Sequence, residues 1–164
     1  MPYILRCILD VEEDVIRDIV LSEHHHLEDL HRAVVEFFNL PTGEMASFYR
    51  TNKDWDQGEE IPLINMNDAG EHNEMKDYKI ADIFKNTADN LLYIYDFLNM
   101  WTFFITLQNK IETSKTDTPY LNFSVGQLPE KAPDKIFTGE NMIDDFDTEF
   151  DTDFDLDEDI ENYY

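Results

Sequence analysis

The longest apolar stretch of the chain covers residues 91–107 and reads LLYIYDFLNMWTFFITL. A helix that spans a bilayer needs about 20 apolar residues with few polar interruptions. This stretch has only seventeen residues, and Asp96 and Asn99 interrupt it. Because it is rich in aromatic and β-branched residues, it predicts two buried strands, at 91–97 and 101–107, joined by a tight turn. A membrane span is therefore not expected.

A second hairpin is predicted at the N-terminus. Residues 3–9 alternate between apolar and other side chains, and residues 15–21 form a run rich in β-branched residues. The short acidic segment 10–14 separates the two runs, as expected for a hairpin. One face of the first strand would carry Tyr3, Leu5, Cys7 and Leu9. Cys7 is the only cysteine, so no internal disulfide is possible, and we expect it to be a small buried core residue.

An amphipathic helix is predicted between about residues 26 and 39. Glu28 and Asp29 suit the positive end of a helix, and Pro41 predicts that the helix stops before it. We expect the apolar side of the helix to pack on the buried face of the N-terminal hairpin. That side consists of Leu27, Leu30, Val34, Phe37 and Phe38.

The rest of the chain adds short elements. Strands are predicted at 45–50 and 60–64, and a helical turn at 80–84. The polar segment 112–139 could run over the surface or add a strand at 120–125. Together these elements predict an α+β domain in the order ββαβ, in which a mainly antiparallel sheet packs on one main helix. The order of the elements resembles a β-grasp arrangement.

Charge divides the chain at about residue 139. Residues 140–164 contain twelve carboxylates and no lysine or arginine, and the net charge of the whole chain is −25. We therefore predict a domain over residues 1–139 and an acidic, aromatic tail over 140–164. The tail is either a solvated segment that repels itself or a recognition segment that folds on a partner or docks on the domain's own sheet. In the second case its recognition residues would be Phe146, Phe150 and Phe154.

The charge also limits the classes of partner. Affinity for nucleic acid depends on lysine and arginine neutralising phosphates, and residues 1–139 carry 25 acids against 12 bases. Direct binding to nucleic acid or to an anionic membrane is thus disfavoured. A basic protein partner fits the charge, and so does a role as an acidic mimic of nucleic acid. The N-terminus lacks the basic start and long apolar run of a signal peptide, so a cytoplasmic location is expected.

Metal and cofactor sites have little support. A zinc site needs ligands that converge, whereas three adjacent histidines diverge and His26 and His31 do not share a helix face. The alternative, a solvated loop leading into the helix, is favoured. In the tail, alternating aspartates begin at Asp151, but Leu156 and Asn162 occupy the positions where an EF-hand needs glycine and glutamate. No cofactor is expected.

Catalytic patterns are also weak. The four serines, at 22, 47, 114 and 124, include none in a Gly-x-Ser-x-Gly elbow, and the isolated glycines form no phosphate-binding loop. The sequence therefore favours a binding or accessory module over an enzyme, with a protein as its partner.

Three segments carry a family resemblance: residues 15–31 (VIRDIVLSEHHHLEDLH), residues 91–107, and a later VGQLPEKAP. Together they resemble the plasmid pRiA4b ORF-three-like family, small α+β proteins found on plasmids, on insertion elements and in many bacterial genomes, some of them labelled TnpR. The resemblance implies no established activity. The matching residues are Arg17, Leu27, Leu30, His31, Tyr93, Tyr95, Asp96, Phe97, Trp101, Pro129 and Glu130.

The matching polar and aromatic residues define a candidate polar cluster. Asp96 is expected to accept hydrogen bonds from the backbone N–H groups of residues 98–100 or to pair with Arg17. The functional alternative is a ligand-binding carboxylate acting with Arg17 and His31. Trp101 is expected in the core or at an interface. The complete cluster consists of Arg17, His31, Tyr95, Asp96 and Trp101.

Where this chain departs from the family pattern, polar groups are lost. Leu98 replaces a glycine, Asn99 an aspartate and Phe103 a histidine. A polar site built from that motif is consequently weakened here.

Overall fold

Strands account for most of the regular structure in the computed structural model, which describes residues 1–66, 73–112 and 117–133. The described residues all belong to one compact unit, Met1–Pro133. The strands are β1 (Pro2–Leu9), β2 (Ile16–Ser22), β3 (Ala46–Thr51), β4 (Gln57–Pro62), β5 (Asn90–Tyr95), β6 (Trp101–Lys110) and β7 (Tyr120–Val125). The helices are α1 (Leu27–Phe37) and α2 (Ile80–Ile83), with a 3-10 turn at Met75–Asp77.

All seven strands of the described residues belong to one sheet, in the order β4-β3-β5-β6-β1-β2-β7. Each neighbouring pair is antiparallel. The hairpins predicted at the N-terminus and at 91–107 are present as β1–β2 and β5–β6. They lie side by side because β1 pairs with β6.

The predicted α+β class is wrong, and the protein is mainly β. The short strands predicted around 45–64 join the same sheet as the two hairpins, and β7 adds a further strand at its edge. Against this wide sheet, α1 has only eleven residues and α2 only four. The β-grasp comparison fails too, because such a sheet pairs two central strands in parallel, whereas β1 and β6 are antiparallel.

The core lies between α1 and the face of the sheet that carries Tyr3, Leu5, Cys7 and Leu9. Phe103 lies on this face and packs edge-on against Phe38, with ring centroids 4.7 Å apart. Burying one such side chain stabilises the fold by about 1.5–3 kcal/mol. Cys7 is fully buried, as predicted, and burial raises the pKa of its thiol.

Helix α1 begins and ends close to the predicted limits. The Asp29 carboxylate accepts a hydrogen bond from the His26 N–H at 2.8 Å, which satisfies one of the free N–H groups at the helix start. Asn39 has φ 57°, a left-handed conformation that ends the helix before Pro41. No helix in the described ranges is long and apolar enough to cross a membrane.

The predicted boundary at 139/140 and the tail residues Phe146, Phe150 and Phe154 lie outside the described residues. Both therefore remain predictions.

Candidate functional site

The structure separates the residues of the candidate polar cluster. His31 and Tyr95 line one groove beside α1, and Arg17, Asp96 and Trp101 are absent from its lining. Each of the three has a different environment. The five residues therefore do not line one common pocket.

Arg17 joins the edge of the sheet to the end of α1. Its guanidinium donates to the main-chain oxygens of Phe37 (2.9 Å), Val125 (2.8 Å) and Gly126 (2.9 Å), and also to that of Ile16 (2.9 Å). It is also 5.0 Å from the centroid of the Phe38 ring. Burial lowers the pKa of Arg17 from its ordinary value, but an arginine stays charged at neutral pH. The hydrogen bonds of Arg17 therefore hold α1, β2 and β7 together.

Asp96 closes the β5–β6 turn. Its carboxylate accepts hydrogen bonds from the backbone N–H groups of Leu98 (3.1 Å) and Asn99 (3.4 Å), and from the Asn99 side chain (2.6 Å). Its own backbone has φ 63°, so the turn holds it in the left-handed region. Asp96 therefore binds the backbone of the turn, which is one of the two structural roles expected for it. Among the described ion pairs none joins it to Arg17.

His31 lies on α1 and faces the aromatic side chains of β5. Its Nδ1 is 2.6 Å from the Tyr93 hydroxyl, and its ring is 6.1 Å from that of Tyr95. Burial lowers the pKa of His31 to about 4, with a smaller contribution from the nearby Arg32 charge. The imidazole is therefore neutral at pH 7.

Tyr93 is a residue that the predicted cluster omitted. It matches the family pattern and stands two positions before Tyr95, so the alternation of a strand places both on one face. Its hydroxyl is the hydrogen-bond partner of His31, and burial raises its pKa well above the ordinary value. Spacing along the strand was the signal that could have added it.

Tyr95 and Trp101 face each other across the β5–β6 hairpin. The Tyr95 hydroxyl donates to the main-chain oxygen of Pro41 and accepts a 3.4 Å hydrogen bond from the Glu44 N–H. These bonds attach the segment after α1 to the sheet. Trp101 is 5% exposed and belongs to the core, which is one of the two places expected for it.

The groove lies between α1 and the segments that follow α1 and β4. It has a volume of about 780 Å³ and is open to solvent. Ile64 lies in its lining and is 50% exposed. Its apolar lining comprises Val35, Leu40, Met45, Leu63 and Ile64, and its polar lining includes His31, Arg32, Glu36, Asn39, Thr42, Glu44 and Tyr95.

The remaining histidines act locally. The His25 ring accepts a hydrogen bond from the Ser22 N–H at 2.8 Å, and its other nitrogen is 3.2 Å from the main-chain oxygen of Asp117. His24 is exposed. In the ranges that the structure describes, no three His, Cys, Asp or Glu side chains are grouped to hold a metal ion.

The sequence profile of the family described as plasmid pRiA4b ORF-3-like protein matches residues 4–157. The chain belongs to this family. The match continues past Glu130, the last of the motif residues, into the acidic segment. No curated protein matches the chain.

A solved structure has a similar fold. It is the crystal structure of a protein of unknown function, MM3350 from Methanosarcina mazei Go1, with a TM-score of 0.62 and 22% sequence identity. The similarity covers 79% of this chain and 72% of that chain. At this level of identity, the likeness concerns the fold alone.

Two departures from the ORF-3-like pattern now have a structural context. Asn99, at the usual aspartate position, still binds the Asp96 carboxylate through its side-chain amide. Phe103, at the usual histidine position, is fully buried between Phe38 and Tyr93. The first substitution keeps the turn, and the second makes this part of the core apolar.

Proposed function

We propose that this ORF-3-like protein is a non-catalytic binding module whose partner is a protein. The observation that carries the proposal is the open groove beside α1. Its walls are largely apolar, and two of its polar side chains, His31 and Tyr95, already form hydrogen bonds inside the fold. At protein–protein interfaces, the side chains that dominate binding insert into pockets of this kind.

The chemistry of the groove favours binding over catalysis. His31 is neutral at pH 7 and shares a hydrogen bond with Tyr93. Burial raises the pKa of Tyr95, whose hydroxyl already donates to Pro41. A general base must be able to reach a substrate proton, and a nucleophile needs a base beside it. A general base works best with a pKa near the operating pH, and burial leaves His31 a weak base, with a pKa of about 4. The hydroxyls of Tyr93 and Tyr95 already have partners inside the fold.

Charge at the groove defines the partner further. Glu36 and Glu44 lie in its lining, whereas the guanidinium of Arg32 is engaged by Glu28 at 3.1 Å and Asp29 at 3.2 Å. Complementary charge speeds encounter and selects partners. The partner should therefore present an apolar side chain bordered by lysine or arginine.

A matched pair of variants tests the groove. Ile64→Lys places a charge in the groove, and Leu98→Lys places the same charge at the β5–β6 turn, where Leu98 is 94% exposed. The partner would be identified by mass spectrometry after capture on the immobilised full-length protein. We expect Ile64→Lys to weaken its binding at least about tenfold, and Leu98→Lys to leave it unchanged. Equal binding by both variants would exclude the groove.

A second candidate function is an acidic mimic that occupies the basic surface of a nucleic-acid-binding protein. The net charge of −25, to which residues 1–139 contribute with 25 acids against 12 bases, favours this alternative. Salt separates the two functions, because screening weakens exposed charge pairs far more than apolar contacts. Capture that survives about 0.5 M NaCl supports the groove, and capture that is lost there supports the mimic.

The acidic tail contributes to recognition in the same proposal. Replacing Phe146, Phe150 and Phe154 by serine in the full-length chain keeps every carboxylate and removes the aromatic rings. A partner that contacts the aromatic rings would bind this variant more weakly. A partner that recognises only the negative charge would bind it normally. That result would show that the three phenylalanines are not recognition residues.

A further inference from the structure

The two edge strands of the sheet differ in chemistry. Among the described strands, β4 and β7 each have one neighbour only. β4 carries Glu59 and Glu60 and ends at Pro62, and charges and proline are the usual protection of an edge against pairing. β7 reads YLNFSV, with no charge and no proline, and all of its residues are exposed. The β7 edge therefore lacks two of the features that prevent strand addition, charged side chains and proline.

Three apolar side chains of β7 lie exposed on the face of the sheet opposite α1. Phe123 lies across from Asp18 and Val125 across from Ile16, and a register shift at Asn122 brings Tyr120 to the same face. Tyr120, Phe123 and Val125 are 44%, 46% and 38% exposed. An added strand would thus find both open backbone groups and an apolar face to cover.

The strand is held firmly in place. Arg17 donates to the main-chain oxygens of Val125 and Gly126, and Arg6 lies 5.9 Å from the centroid of the Phe123 ring while binding Asp18 through two 2.8 Å hydrogen bonds. A preorganised edge loses less conformational entropy when a ligand binds.

Exposed acids stand at both ends of β7. Asp117 precedes the strand by three residues. At the other end, the main chain of Gly126 lies directly against that of Asp14. A depression of about 380 Å³ nearby is lined by Glu12 and Glu13, with Lys131 as the one base in its lining. An apolar strand with acids at both ends fits an apolar extended peptide with basic ends.

We propose that β7 binds an extended segment of a basic protein partner by strand addition, as an eighth strand of the sheet. Main-chain hydrogen bonds would supply affinity and alternate apolar side chains would supply specificity, which is the usual division in this mode of recognition. A second copy of the chain fits less well, because antiparallel pairing of two β7 edges brings the Asp14 end of one to the Asp117 end of the other. Two chains of charge −25 also repel each other.

The test uses the full-length protein and the probe peptide Lys-Lys-Val-Thr-Val-Thr-Val-Lys-Lys. Its controls are the same peptide with N-methylated valines, which cannot complete the ladder, and a version with glutamate in place of lysine. We expect the probe to bind at pH 7 and to slow hydrogen exchange of β7 amides. The glutamate version should bind at least about tenfold more weakly, and the N-methylated version should lose the protection of β7.

Variants locate the site. Phe123→Lys should abolish binding of the probe, and Ile64→Lys, in the groove beside α1, should leave it intact. Unchanged hydrogen exchange in β1 and β5 would show that both variants fold. Loss of probe binding in Ile64→Lys, or equal binding of the N-methylated peptide, would overturn the proposal.

Hydrogen exchange of the protein without peptide is a further test of the proposal. β7 amides that are already protected without peptide would mean that the edge is occupied, and the proposal would then be wrong. If that protection grew with protein concentration, the occupant would be a second copy of the chain. The groove beside α1 is untouched by this outcome, so the two proposals fail separately.

Discussion

Arg17 and Asp96 show how family-matching polar residues can serve the fold. The donors of Arg17 go to main-chain oxygens at the ends of α1 and β7. The acceptors of Asp96 go to the β5–β6 turn. A buried polar group without a partner costs about 1–3 kcal/mol, so these bonds explain why such residues suit their positions. Neither residue needs a ligand to account for it.

His31 should make stability depend on pH. In the unfolded chain its pKa is near the ordinary 6.5, and in the fold burial lowers it to about 4. As the pH falls from 7, the unfolded state takes up the proton first, so the contribution of His31 is complete above about pH 6.5 and is lost progressively towards pH 4. The full difference corresponds to about 3 kcal/mol.

The measurement is the urea midpoint of His31→Gln against the unmodified chain from about pH 4.5 to 7. The variant should lack the excess loss of stability in this window, although it is less stable than the unmodified protein at pH 7. His24→Gln removes an exposed histidine and serves as the control. If both variants kept the same slope as the unmodified chain, His31 would be titrating normally in the fold.

Gly126 should be essential to the attachment of β7. It has φ 75°, and a Cβ added there would stand 2.2 Å from the main-chain oxygen of Asp14. Gly43 has φ 91° and nothing within 4 Å of its added Cβ, so it isolates the cost of the backbone conformation alone. We expect Gly43→Ala to cost about 1 kcal/mol of the free energy of unfolding, and Gly126→Ala roughly twice that or more.

Denaturant unfolding of the two variants gives the comparison, and hydrogen exchange shows where it acts. Gly126→Ala should expose β7 amides before those of β1. Equal costs for the two variants would mean that the backbone near Asp14 moves away from the added methyl group without resistance.

The hairpins were predictable because their signals are local. Alternation in β1 and the aromatic run of β5 and β6 each determine a strand and its buried face within a few residues. The helix was predictable for the same reason, since its caps and apolar spacing lie within residues 26–41. The position of a strand in the sheet has no local signal. β1 lies between β2 and β6 in the sheet, although β6 begins about ninety residues after β1 ends.

The fold class and the groove were missed for that reason. Nothing in β3, β4 or β7 alone shows that all three join the sheet of the two hairpins, and this is what makes the protein mainly β. The groove combines His31, Leu40, Ile64 and Tyr95, which are far apart in the sequence. Sequence patterns suggested two of these four, and only through their match to the family.

The charge of the complete chain predicts the direction in which salt acts on its stability. Residues 1–139 alone carry 25 acids against 12 bases, and this excess of negative charge repels itself in the folded domain. Screening by salt reduces that repulsion. The opposing effect, the weakening of ion pairs by salt, is small, because most of the ion pairs among the described residues are exposed. Arg50–Glu59 is an example, with side chains 42% and 57% exposed, and such pairs contribute about 0–1 kcal/mol each. The pair between Arg6 and Asp18 is better shielded, since the Asp18 side chain is only 8% exposed.

Added salt should therefore stabilise the protein. We expect about 1 kcal/mol between about 10 mM and 200 mM NaCl, or a rise in Tm of about 2–4 °C for a chain of this size. Potassium fluoride at equal ionic strength controls for effects specific to chloride. Asp18→Asn should leave the salt dependence almost unchanged, because one shielded pair is a small part of the total. A fall in Tm with either salt would mean that ion pairs outweigh repulsion, and the acidic surface would then have to be locally balanced by its own bases.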